Sequence, residues 1–409
     1  MKKIFLAIAA FAISSLSLAQ EANQPDTTHF LDYTEIDLNY KSLTSIPDSI
    51  KYCKNLSKLS LSSNKIKELP PFVYELEQLK TLNLDNTELS TLAPEVSHLS
   101  HLEWLDISRT KISQLPPDIA NLSSLKHLQW SNQAGIEIGE EFKSFGSLEM
   151  LNLAFCNNIQ EHFCDMGEIA SLKELLLHGG NLTEISDCIG QFDQLEDIFI
   201  TSTPLNSLSG QLGQLASLKR IRIWQSQLET LPDELTNLSE LAILNITESQ
   251  LKALPDSMGN LTGVSELNLR LNKITELPAT MGQMSSLKSL NLEGNQLTQL
   301  PESLADIQDI EQIQVSKNAL TALPANIGNT NIARIWANDN EISTLPASIG
   351  NAKNLYMLYL RNNNLTTLPD EIGQLAKGRL KYLHLGGNPI SDEEKARIKA
   401  MLPNTEIYF

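Results

Sequence analysis

Residues 56–70 read Leu56-Ser57-Lys58-Leu59-Ser60-Leu61-Ser62-Ser63-Asn64-Lys65-Ile66-Lys67-Glu68-Leu69-Pro70. The apolar residues of that stretch return 23 positions later as Leu79, Leu82, Leu84, Leu89 and Leu92. Leading apolar residues then fall at Leu102, Leu125, Leu148, Leu172, Leu195, Leu218, Leu241, Val264, Leu287, Ile310, Ile332, Leu355 and Leu380, so the phrase is written about fifteen times. A partial copy precedes them, with Ile36, Leu38, Leu43, Ile46 and Pro47 in register. A fixed period in the twenties implies a solenoid, because one such unit buries its apolar face only by stacking on its neighbours. Binding is therefore a better expectation than catalysis.

The second half of the phrase is clearest at Leu277-Pro278, at Leu345-Pro346-Ala347-Ser348-Ile349 and at Leu368-Pro369-Asp370-Glu371-Ile372-Gly373-Gln374-Leu375. These residues resemble the leucine-rich-repeat family, in its 23-residue class with Leu-Pro-x-x-Ile-x-x-Leu, as in plant intracellular and Ras-scaffold repeat proteins. The resemblance covers roughly residues 33 to 409. It implies an α/β solenoid: a curved leucine-rich-repeat horseshoe with a parallel β-sheet on the concave face and irregular, 3-10 or polyproline-like convex segments. It also implies a habit of binding proteins, though it names no one partner.

The ends depart from the repeat. Lys2 and Lys3, the apolar run Ile4 to Ile13 and the small-x-small site Ser17-Leu18-Ala19 have the layout of a secretory signal peptide over residues 1–19. The run is too short to span a membrane. Its removal takes two lysines from a chain of net charge −18, leaving −20. No cysteine follows the cleavage point to accept a lipid, and the short two-lysine start has a bacterial character. The expectation is an exported bacterial protein, periplasmic or extracellular, with no transmembrane segment in the mature chain. Residues 20–32 are an arm or N-terminal cap, residues 33–390 a solenoid of about 15–16 coils, and residues 391–409 a C-terminal capping helix and strand. Ser391-Asp392-Glu393-Glu394 matches a capping box, and Pro403 stops the helix.

Counting each leading leucine as zero, +3 and +5 point into the core, and +2, +4, +6 and +7 face solvent on the sheet. The Leu-Pro at +13 and +14 suits an irregular return path, because proline has no amide hydrogen to give a ladder. At +8 stand Asn64, Asn272, Asn295, Asn318, Asn340, Asn363 and Asn388, with Asn157 displaced by one inserted residue. The family resemblance implies that these amides form a ladder to turn backbone. Thr87, Thr110, Gln133, Gly180, Thr203, Ser226 and Ser249 break it, and coils 125 to 217 also lose Leu-Pro. Those coils are expected to be the least stable of the array.

A sequence pI near 4.8 offers no basic footprint for nucleic acid. The chain contains no P-loop, His-Glu-x-x-His, Gly-x-Ser-x-Gly or Cys-x-x-Cys. No catalytic, cofactor-binding or metal-binding residue is assigned, and no enzymatic activity is expected. Cys53 takes a core position equivalent to Leu76 and Leu99, whereas Cys164 and Cys188 fall at nearly matching places in adjacent coils and are the candidate disulfide. The seven Asn-x-Ser/Thr sequons are by-products of the repeat.

The sheet face carries the partner-binding candidates. Trp104, Trp224 and Trp336 fall at exposed strand positions, Trp130 in a core slot, and six of eight arginines map to the face. Strand propensity explains tryptophan but not arginine, and both dominate interface hot spots. The assigned surface is Phe199, Arg220, Arg222, Trp224, Ile243, Arg270, Leu271, Arg334, Trp336, Met357, Tyr359, Arg361, Tyr382 and His384. Glu35, Asp37, Asp85, Asp106, Glu174 and Asp197 make the first half of that face acidic, while arginine enriches the second. A protein partner is the main expectation. A glycan or envelope polymer stacked on the aromatic residues is the alternative, and a structural spacer without a tight ligand is a third.

Overall fold

Every coil begins with the same burial problem, and the computed structural model, which describes residues 28–409, shows how it is solved. The signal-peptide expectation at residues 1–19 and most of the arm lie outside the described residues. The chain falls into two units, residues 1–182 with 191–195, and residues 183–190 with 196–409.

In the first unit, seven consecutive strands pair in parallel: Glu35–Asp37, Lys58–Ser60, Thr81–Asn83, Trp104–Ile107, His127–Ile136, Met150–Cys156 and Glu174–His178. The register matches repeat to repeat, with Leu59 opposite Leu82 and Leu82 opposite Leu105. Leu56, Leu59, Leu61 and Ile66 are wholly buried, as are Leu79, Leu82, Leu84 and Leu89 in the next coil. Each such side chain contributes about 1.5–3 kcal/mol of burial. At the N-terminal end Phe30 closes the stack against Tyr33 and Tyr52, with ring centroids 6.3 and 5.9 Å away.

The second unit repeats the scheme over ten parallel strands, from Asp197–Thr201, Arg220–Trp224 and Ile243–Thr247 through six further repeats to Glu406–Tyr408. Opposite each strand runs a short 3-10 segment. Ala347–Asn351 is typical: Pro346, with φ −68° and ψ 144°, turns the chain into it, and Ile349 is wholly buried. Each unit is thus an α/β solenoid of leucine-rich-repeat type, with sheet on one side and 3-10 turns on the other.

The asparagines at +8 connect the coils. Asn295 donates from Nδ2 to the carbonyls of Leu269 and Leu292, both at 3.0 Å, and accepts at Oδ1 from the Ile274 amide at 3.0 Å. Asn64, Asn272, Asn318, Asn363 and Asn388 repeat the pattern. Threonine substitutes do less. Thr87 reaches only the Leu84 carbonyl, Thr110 donates to the Ile107 carbonyl and accepts from the Ile112 amide of its own coil at 3.3 Å, and the buried Thr203 hydroxyl has no partner among the described residues. In the displaced coil Asn158, not Asn157, takes the ladder role, binding both the amide and the carbonyl of Ile138. The side chain that bonds the neighbouring coil thus stands two places beyond +8.

That coil departs from expectation again. Its return path is an α-helix, Ile159–Gly167, rather than an irregular or 3-10 segment. The strands before it are also long, ten residues in His127–Ile136 and seven in Met150–Cys156, against three to five in other coils. Trp130 is buried, donates from Nε1 to the Ile112 carbonyl at 3.0 Å and stacks on Phe142 at 6.5 Å. Longer strands and aromatic packing thus stand in the coils that lack the proline. Cys53 and Cys156 are buried free thiols, each pushed by burial to a pKa of about 11; Cys164 and Cys188 are disulfide-bonded.

At the C-terminal end the helix Asp392–Met401 starts with Ser391 Oγ accepting from the Glu394 amide at 3.2 Å. Glu394 does not return the bond to Ser391 as a capping box would. Its Oε1 instead accepts from Thr367 Oγ1 and the Leu368 amide, at 2.9 and 3.1 Å, and Arg397 grips the same carboxylate. The carboxylate thus ties the capping helix to the return path of the preceding coil.

Two predictions test this architecture. Asn295→Ala, which strands the Ile274 amide, should cost about 1–3 kcal/mol in urea unfolding, and Leu292→Ala about 2–5 kcal/mol. Thr203→Val, losing only an unpartnered hydroxyl, should cost nothing; equal losses for Asn295→Ala and Thr203→Val would refute the ladder account. The second concerns pH. Arg397 and the Leu368 and Thr367 donors hold the Glu394 pKa at about 2, below its ordinary 4.5. A depressed carboxylate contributes stability that is complete above 4.5 and is lost as pH falls toward 2. Melting temperature should therefore drop less steeply across that window in Glu394→Gln than in the wild type.

Candidate functional site

The outer row of each sheet is set by strand alternation, and in the second unit it gathers the assigned residues into two groups. Asp197 anchors the first. Its carboxylate is buried, with the side chain 5% exposed, and receives Arg220 Nε at 2.6 Å and Arg222 Nη2 at 2.8 Å. Arg222 lies over the Phe199 ring at 4.9 Å, and Phe199 meets Trp224 edge-on at 4.8 Å. Parallel register causes this, since Asp197 and Arg220, and Phe199 and Arg222, are direct cross-strand pairs. The sequence placed Asp197 in an acidic first half; here it is the fixed point that orients two arginines. Trp224 remains 38% exposed.

The second group follows the +4 row of the last coils. Trp336, Tyr359, His384 and Tyr408 are successive cross-strand partners, with centroid separations of 6.3, 4.2 and 4.3 Å. Tyr408 was not among the assigned residues, although the same spacing places it in the row. Burial and the nearby Arg361 guanidinium lower the His384 pKa. Beside this row Tyr382 meets Tyr356 edge-on at 5.6 Å. The Tyr356 hydroxyl bond and the Glu406 charge raise the Tyr382 pKa.

Ile243 borders the first group as the cross-strand partner of Arg220, while Arg270 and Leu271 lie between the groups. Arg270 Nε is buried with no hydrogen-bond partner among the described residues. Leu271 does not stand on a strand. Its φ is +54°, and Ser63, Asn86, Arg109, Ser202, Gln225, Glu248, Lys317, Asp339 and Asn362, all at +7, have φ between +52° and +58°. The +7 residue is therefore a left-handed turn that ends the strand. Its amide still bonds the next coil, as Leu271 does to the Glu293 carbonyl at 2.8 Å. Glycine at 294 and 387, and asparagine or aspartate at 86, 339 and 362, were the sequence clue to this turn.

The first unit's face is more self-contained. Arg109 makes a bidentate pair with Asp85, and Ser62 Oγ donates to the same carboxylate at 3.2 Å. Burial first, and then the Asp85 charge, raises the Asp106 pKa. Trp104 stacks on His127 at 4.8 Å. Among the described residues no cluster of histidine, cysteine and acid side chains is arranged to hold a metal, and no helix is long and apolar enough to cross a membrane.

Comparison with known proteins follows the same lines. Profiles described as a leucine-rich repeat region, a leucine rich repeat and a leucine rich repeat match residues 75–203, 262–320 and 354–375. No curated protein sequence matches the chain. Among solved structures, a leucine-rich-repeat protein of Leptospira interrogans is 32% identical, with a TM-score of 0.85 over 94% of this chain and 97% of that one. The plant peptide hormone receptor RGFR1, solved in complex with RGF2, is 25% identical, with a TM-score of 0.63 over 91% of this chain and 66% of the receptor. The functional domain of InlJ from Listeria monocytogenes shares the fold, at 18% identity and a TM-score of 0.67 over 84% and 71% of the two chains. With its coil register, asparagine ladder and near full-length Leptospira relative, this chain belongs to the leucine-rich-repeat family, a family of protein-interaction scaffolds.

Proposed function

We propose that the protein is an exported bacterial scaffold without catalytic function that holds a protein partner on the sheet face of residues 196–409. The observation that carries this reading is the Phe199–Arg222–Trp224 cluster. It is a rigid group of hot-spot residue types, fixed from below by Asp197 and open to solvent at Trp224. Ordering these side chains before binding lowers the entropy cost of association. The resemblance to a receptor seen with RGF2 and to a Leptospira protein supports a binding role and a bacterial source.

Export rests on the residues 1–19 layout, and disulfide-bonded Cys164 and Cys188 fit an oxidising compartment, periplasmic or extracellular. Signal cleavage after Ala19 would give a mature protein beginning at Gln20. Mass spectrometry of protein recovered from the periplasm or medium tests this, and an intact Met1 in the exported fraction would contradict it.

The binding reading is tested by affinity capture from the producing cell with wild type and Trp224→Ala, a change that leaves the Asp197 ion pairs in place. Loss of a hot-spot tryptophan should weaken capture of the specific partner by about 2 kcal/mol or more. Identical recovery of every captured protein by both would remove the first cluster from the interface.

A further inference from the structure

Most basic side chains on the sheet already have a carboxylate. Arg109 holds Asp85, Arg220 and Arg222 hold Asp197, Lys317 pairs with Glu293 at 2.9 Å, and Lys381 pairs with Glu406 at 2.6 Å. Arg334 and Arg361, like Lys58 and Arg270, have no ion pair with a carboxylate among the described residues, and the first two flank the aromatic row. They stand on opposite sides of the aromatic row. Arg334 is two residues before Trp336 on one strand, and Arg361 two residues after Tyr359 on the next. Two residues of strand is about 6.6 Å and one inter-strand step about 4.8 Å, so both guanidinium groups border one short track across the strands.

The rings constrain what that track accepts. Tyr359 and His384 lean on their neighbours with centroids 4.2 and 4.3 Å apart, so the inner rings of the row are covered on their broad faces, and only Tyr408 at its end, 48% exposed, keeps one open. A sugar ring stacks on an open aromatic face, and the inner part of this row offers chiefly edges. Ring edges suit apolar and aromatic side chains, which prefer edge-to-face contact. A guanidinium on each side suits carboxylates, which it binds through paired N–H donors.

We propose that Arg334, Trp336, Tyr359, Arg361, His384 and Tyr408 form a docking track for an extended acidic peptide segment of the partner, its apolar side chains on the rings and its carboxylates on the two arginines. This rests on the protein-binding reading above and names the chemistry of the segment bound. The strongly acidic remainder of the protein, net −18 overall, would repel such a segment elsewhere, so the two free arginines set its position as well as its affinity.

The test uses the full mature protein and labelled short linear peptides of Asp, Glu, Leu and Phe, with counterparts in which Asn and Gln replace the acids. Fluorescence polarisation should show the acidic peptides binding about tenfold or more tightly than the amide set, with the preference falling as salt rises. Arg334→Gln/Arg361→Gln should abolish the preference, and Tyr359→Ala should weaken both sets, while thermal melting confirms that each variant is folded. Equal binding of the two sets, an unchanged preference in the double variant, or tighter binding of oligogalacturonate than of the acidic peptides would overturn the proposal. Capture of a partner that depends on Trp224 but not on Arg334 and Arg361 would leave the scaffold reading standing and remove this track alone.

Discussion

A solenoid coil must turn its backbone inside an apolar stack, and the polar groups of that turn have no water to satisfy them. The asparagine at +8 resolves this. One Asn295 side chain closes three backbone bonds, reaching two carbonyls, one of them 26 residues away, and one amide 21 residues away. An unpaired buried amide or carbonyl costs about 1–3 kcal/mol, so the ladder decides whether neighbouring coils can approach closely enough to align their strands. The sheet, its register and the outward row of side chains all follow from that approach.

At some of the coils that lose the asparagine the fold supplies other bonds, though not at Thr203. Ser226 and Ser249 bond each other at 2.8 Å, a hydroxyl pair spanning one repeat. Asn158 works from a shifted position, and the strands beside it lengthen. These compensations were not legible in the sequence, because the pattern records which residue is missing and not what the backbone does instead. The helix Ile159–Gly167 shows the same limit: Phe163 and Met166 look like the apolar words of a degraded repeat, and only the inserted residue upstream hints that the return path has changed hydrogen-bond period.

The regular part was far more readable. Buried positions follow the period from Leu56 to Leu385, and Trp130 occupies the core slot that its spacing assigns. The exposed row was also recoverable, since alternation alone puts Trp224, Trp336 and Tyr359 on the same side. The pairing within that row was less visible. Lys80 with Glu103, Lys219 with Glu196 and Lys252 with Glu229 are all 23 residues apart, so the period itself foretells cross-coil ion pairs. Such exposed pairs contribute little stability, about 0–1 kcal/mol each. Their larger consequence is to cancel charge locally and so decide which cations remain available to a ligand.

That cancellation gives the face its differentiation. In the first unit and around Asp197, arginine is consumed by the protein's own carboxylates, which makes those side chains rigid and shapes a surface for packing. Around the last coils Arg334 stands cross-strand from the uncharged Gln312 and Met357, and Arg361 follows an aromatic strand, so charge there stays uncancelled. The left-handed turn at +7 sharpens the contrast by ending each strand at the same height, confining the usable face to +2, +4 and +6. Three side chains per strand, repeated at about 4.8 Å, is a coarse alphabet. Its meaning depends on which positions the fold has already paired, a property of neighbouring coils together and not of any single repeat.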